Sequence, residues 1–209
     1  MKIKICGLFR EQDIDYVNEA MPDFCGFVFA PSKRQVSAEL AGRLKQRLAE
    51  GIVPIGVFVN APPEEVNALY RDGIISIAQL HGDENEEYIA QLKAASGNSP
   101  IGVPIQVIQV VKHEQLDISK PLITEAEYIL IDSGAGSGKP FNWNLLNPPH
   151  SPIEKPWFLA GGISIANIEQ AVALNPFGID ISSGAETDGV KDREKILQLT
   201  NIVRKGNSL

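Results

Sequence analysis

The sequence predicts a single (β/α)₈ barrel, and three observations carry that reading. Short β-branched runs alternate with amphipathic helical runs, eight strand candidates can be counted, and none leads into the Gly-x-Gly-x-x-Gly turn of dinucleotide-binding open sheets. Parallel neighbours need long crossovers, which the intervening helical runs supply.

The strands are expected at Lys2–Cys6, Phe24–Phe29, Val53–Val59, Ile74–Leu80, Ile101–Val111, Tyr128–Asp132, Trp157–Ala160 and Gly178–Ser182. The clearest helical pattern spans Ser37 to Glu50, where Leu40, Leu44 and Leu48 share a face, Ser37 can cap the start and Gly51 ends it. Glu64–Arg71 and Asn85–Ala95 read as two more. A helix beginning near Ser164 carries Ile165, Ile168 and Val172, and the last carries Ile196, Leu199 and Val203. The weak stretches are Lys112 to Glu127, interrupted by Pro121, and Asn142–Leu146, barely one turn.

Composition sets the outer bounds. At 209 residues the chain suits one domain over residues 1–209, and 44% hydrophobic with 22% charged residues is ordinary globular usage. A net charge of −7 disfavours nucleic acid, which demands a surplus of Lys and Arg, but leaves room for a small anionic substrate held by local donors. No run approaches the roughly 20 apolar residues of a membrane span. The N-terminus lacks a signal-peptide pattern, and the two cysteines, Cys6 and Cys25, have no metal spacing. A cytoplasmic protein with free thiols is expected.

Barrel active sites lie at the C-terminal strand ends. Here those ends are Cys6-Gly7, Gln79-Leu80-His81-Gly82-Asp83, Asp132-Ser133, Ala160-Gly161-Gly162 and Asp180-Ile181-Ser182-Ser183-Gly184. Gly161, Gly162, Ser182, Ser183 and Gly184 follow the last two strands, where backbone N–H groups can approach a phosphate. The same glycines also suit tight turns without a ligand. Cys6 reads as a base or as a small buried hydrophobe, and Cys25, among phenylalanines, as core. Asp132 ends an apolar strand and fits a proton donor, a helix cap or a structural ion pair; Asp180 carries the same ambiguity. His81 sits where it can touch a substrate, and with His113 and His150 it gives no metal spacing. Gly134 to Pro140 lacks the nucleotide-loop pattern and fits a mobile glycine-rich loop. Ser32-Lys33-Arg34 offers a basic pair to an anion.

Together these segments resemble the phosphoribosylanthranilate isomerase family. The resemblance runs through Lys4-Ile-Cys-Gly-Leu8, Gly26-Phe-Val-Phe29 with Arg34 and Val36-Ser37, Gly56-Val-Phe-Val-Asn60 and Gln79-Leu-His-Gly-Asp-Glu84. It continues through Ile131-Asp132, Gly136-Ser-Gly-Lys139 with Phe141 and Trp143, Leu159-Ala-Gly-Gly162, and Asp180 to Glu186 with Gly189-Val-Lys-Asp192. Two departures are Lys33, where proline is usual in a loop one residue shorter than common, and Gln106 and Gln109, where Lys and Arg are frequent.

The resemblance implies an Amadori rearrangement of N-(5-phosphoribosyl)anthranilate in tryptophan biosynthesis, without cofactor or metal, by a monomer or homodimer. It implies Asp132 as general acid, Cys6 thiolate as general base, Arg34 on the anthranilate side, His81 and Asp180 lining the pocket, and the turns after strands 7 and 8 on the phosphate. Two rivals are the histidine-pathway barrel isomerase, which would show an internal half-repeat, and a non-catalytic phosphosugar-binding barrel.

Strand parity adds an expectation of its own. Side chains alternate, so if Cys6 faces the interior, Lys4 does too, one layer below. Strand 8 lies beside strand 1 in a closed barrel, and a buried ammonium needs a partner, so Lys4 should pair with Asp180.

Overall fold

The computed structural model describes residues 1–98, 102–112, 114, 116, 120–134 and 153–206. Eight parallel strands close on themselves in sequence order: β1 (Lys2–Cys6), β2 (Phe24–Val28), β3 (Val53–Phe58), β4 (Ile77–Leu80), β5 (Gln106–Lys112), β6 (Tyr128–Asp132), β7 (Trp157–Ala160) and β8 (Gly178–Ile181). All eight lie where expected. β4 and β5 start later than read, at Ile77 and Gln106, because periodicity locates a strand better than it locates its end.

Alternation along each strand builds two cores. Ile3, Ile5, Ile129, Ile131, Ile179 and Ile181 are fully buried beneath the helices. Burying each such side chain contributes about 1.5–3 kcal/mol. Phe24, Ile55, Ile77, Ile108, Leu130 and Phe158 fill the barrel itself. Cys25 belongs to the outer core, as its phenylalanine neighbours suggest.

Among the described residues the helices are α1 (Glu11–Ala20), α2 (Ala38–Arg47), α3 (Pro63–Arg71), α4 (Glu86–Gly97), α5 (Ile168–Ala173) and α6 (Arg193–Lys205). Ser37, Asn85 and Asp192 cap α2, α4 and α6 by accepting from backbone N–H groups three residues on. Sequence reasoning overlooked α1, which is preceded by Arg10 rather than a short polar cap. Asp13 supplies the missing acceptor instead, taking the N–H groups of Phe9 and Arg10, each at 3.0 Å. The helix expected near Ser164 starts only at Ile168, after a turn in which Asn167 Oδ1 accepts the Ser164 N–H at 2.8 Å. Asn142–Leu146 and all of the glycine-rich stretch beyond Gly134 lie outside the described residues. No described helix is long and apolar enough to cross a membrane.

Candidate active site

A cavity of about 470 Å³ opens at the C-terminal ends of the strands. Cys6, Arg34, His81, Asp132, Gly161, Gly162, Asp180, Ser182 and Ser183 all border it. Gly184 does not. It is where the turn after β8 meets the turn after β7: a methyl there would run into the Ile163 carbonyl, so glycine lets the two turns touch.

β1 delivers Cys6 to this rim, and neighbouring β2 makes room for it. A side chain at Gly26 would come within 2.7 Å of the Cys6 sulfur. Below the thiol, Lys4 is fully buried and donates to Asp180 Oδ2 at 2.8 Å and to Gln79 Oε1 at 2.7 Å. Lys4 and Asp180 face each other directly across the β1–β8 pairing. The pair expected from parity is present, and Gln79 completes it as a partner that the sequence did not indicate.

Burial pushes the Cys6 thiol above its ordinary range; Lys4 opposes this, Asp180 adds to it, and Lys191 opposes it. For Lys4, burial favours the neutral amine, but Asp180 and Cys6 together outweigh it and the ammonium is held. Replacing Lys4 by Met should therefore raise the thiol pKa further, because it removes a cation that opposes the effect of burial. Breaking a buried pair should also cost about 3–5 kcal/mol of stability. The pH dependence of Cys6 alkylation measures the first and chemical denaturation the second. Unchanged alkylation would leave Lys4 a structural partner of Asp180 alone.

The other wall comes from β6. Asp132 is one-quarter exposed and sits 3.3 Å from His81 Nε2, while its Oδ1 accepts the Gly134 N–H at 2.9 Å. In register with it stands Lys112, the last residue of β5, an exposed cation that sequence reasoning passed over. Gln106 is exposed at the opposite end of the same strand.

Between these walls, around the barrel, lie the turns after β7 and β8. Gly161 and Gly162 both take positive φ, 92° and 65°, which a side chain would strain. A short 3₁₀ turn, Ser183–Ala185, follows β8, and its leading N–H groups have no partner within the turn. An acid, a thiol and a backbone cradle therefore share one cavity.

The loop after β2 sends Arg34 inward and leaves Lys33 exposed. Arg34 lies across Gly7, where a methyl would approach its Cδ to 2.5 Å. Its guanidinium donates through Nε and Nη2 to the two oxygens of Glu186, at 2.5 and 2.7 Å. Glu186 and Lys191 lie on a small antiparallel hairpin, β9 (Glu186–Thr187) and β10 (Val190–Lys191). Two-residue strands give no periodicity, so nothing local in the sequence exposed them.

A family model for N-(5'-phosphoribosyl)anthranilate isomerase matches residues 3–201. The chain belongs to that family. A Clostridium acetobutylicum member is 42% identical over 98% of both chains, and a Lacticaseibacillus casei member is 44% identical over 94% of this chain and 91% of its own. Among solved structures, the family enzyme from Thermus thermophilus superposes with a TM-score of 0.79 at 31% identity, covering 98% of this chain and 99% of its own. Another, at 28% identity and TM-score 0.79, is a phosphoribosyl anthranilate isomerase in complex with reduced 1-(o-carboxyphenylamino)-1-deoxyribulose 5-phosphate; 98% of this chain and 99% of that one are covered. The family's isomerase activity is thus assigned to a chain whose fold, strand for strand, is the one its sequence predicted. Among the described residues no group of three or more His, Cys, Asp and Glu is arranged to hold a metal.

Proposed function

We propose that this cavity carries out the Amadori rearrangement of N-(5'-phosphoribosyl)anthranilate, with Asp132 as acid and Cys6 as base. The observation that carries this reading is that both groups border one cavity, from β6 and β1, with the cradle of β7 and β8 between them. The substrate has a phosphate, a ribose and a carboxylated ring. Phosphate at Gly161–Gly162 and Ser182–Ser183 leaves the ribose between Asp132 and Cys6, and the ring toward Arg34 in the loop after β2.

Asp132 gives its proton to the ring oxygen, the C1–O bond breaks, and the nitrogen lone pair forms the iminium. Cys6 thiolate then removes the C2 proton, and the C–H electron pair moves toward the iminium nitrogen to leave an enolamine. Protonation at C1 and loss of the C2 hydroxyl proton yield the ketone, so no electrons leave the substrate. Asp180 suits a hydroxyl on the sugar, because the residue borders the cavity and its buried Oδ1 has no hydrogen-bond partner among the described residues.

The decisive experiment is growth of a tryptophan auxotroph lacking this isomerase. The wild-type chain should restore growth and Cys6→Ala should not. Tight phosphosugar binding without restored growth would make the barrel a binder. The histidine-pathway alternative predicts rescue of a histidine auxotroph instead.

A further inference from the structure

Glu186 and Lys191 are buried charges to which the rearrangement assigns no role. Lys191 is almost fully buried and donates to Glu186 Oε1 at 2.8 Å and to the Ser182 carbonyl at 3.0 Å. Burial alone would raise the Glu186 carboxyl, but hydrogen bonds from Arg34 and Lys191 outweigh it and hold the carboxylate. The hairpin backbone is tied down as well. Lys195 donates to the Glu186 carbonyl at 2.6 Å and Arg10 to the Lys191 carbonyl at 3.0 Å. Two carboxylate oxygens thus grip one edge of the Arg34 guanidinium from a fixed support. The adjacent edge, Nη1 with the second Nη2 proton, is the fork that a ligand carboxylate takes bidentately. Arg34, Glu186 and Lys191 together carry one net positive charge, matching one ligand carboxylate. Without Lys191, Arg34 and Glu186 would cancel.

We propose that Glu186, braced by Lys191, is a positioning residue that aims Arg34 at the substrate's ring carboxylate and so sets the preference for a carboxylated arylamine. This rests on the reading of Arg34 given above. The test compares kcat/KM for N-(5'-phosphoribosyl)anthranilate with that for N-(5'-phosphoribosyl)aniline, which differs only in lacking the carboxylate. Arg34→Met should erase the preference. Glu186→Gln should reduce it about ten- to a hundredfold, the range of a charge-assisted hydrogen bond. The pair Glu186→Gln with Lys191→Met should do the same, because it keeps the net charge but removes the grip; it also avoids an uncompensated buried cation if the single variant folds poorly. Adding Glu186→Gln to Arg34→Met should change the preference no further. A merely structural role would slow both substrates equally. If Arg34→Met erases the preference and both Glu186 variants keep it, the positioning role is overturned and the proposed function stands. If Arg34→Met itself keeps the preference, the Arg34 assignment falls, and this inference with it.

Discussion

Asp132→Asn is expected to lower kcat/KM by about 10²–10⁴-fold, the usual contribution of a positioned proton donor. The amide is nearly isosteric, and its oxygen can still accept the Gly134 N–H that now reaches Asp132 Oδ1. His81, 3.3 Å away, can also reorient to meet it. What disappears is the proton for the ring oxygen, without which the C1–O bond must break to an alkoxide. Binding of the reduced product analogue should stay within a few-fold of wild type, which separates lost chemistry from lost shape. A rate within tenfold of wild type would mean that the acid lies elsewhere on the rim.

Cys6→Ala should be as damaging, about 10²–10⁴-fold on turnover, with the barrel intact. Removing a sulfur at a rim position beside Gly26 leaves a small gap rather than a deep void, so a stability loss of about 1 kcal/mol is expected, typical of a point substitution. The thiol's environment sharpens the prediction. Burial raises its pKa, so below that value most of the group is the unreactive thiol. Wild-type alkylation should therefore accelerate with pH through a midpoint above the ordinary value of about 8.5. Cys25 should not contaminate the measurement, because burial holds its pKa up at about 12 and it lies in the outer core. Alkylation of wild type and Cys6→Ala at equal rates would show that the reacting thiol is not Cys6. Turnover by Cys6→Ala within a few-fold of wild type would remove Cys6 as the base.

Much of this site was legible before any coordinates, because the rules that reveal it are local. A strand's period of two and a helix's period of 3.6 are written in runs of five to fifteen residues, and the closed-barrel rule then assigns the strand ends to one rim. Cys6, His81, Asp132, Asp180 and the turns after β7 and β8 followed directly. Even the Lys4–Asp180 pair followed from parity plus the adjacency of first and last strands, although 176 residues separate the two.

Other features had no local signal. α1 is preceded by Arg10, and its cap is supplied from within by Asp13, so the usual boundary residues are missing. Gly26 read only as part of a segment that carries the family resemblance, and Gly184 as part of a phosphate turn. Their reasons, the Cys6 sulfur and the Ile163 carbonyl, exist only once neighbouring elements are packed. Gln79 could be placed on the rim strand, but not as the second acceptor of a buried ammonium. By itself the sequence determined the eight-stranded barrel, the rim and the placement of the Asp132 carboxyl and the Cys6 thiol on it, because burial periodicity and strand parity act within each element. The tertiary structure decided how those groups are held: Arg34 gripped by Glu186 across 152 residues, and Glu186 braced by a fully buried Lys191 side chain. Pairing of charges buried together depends on which surfaces meet, and desolvation enforces it only after they have met.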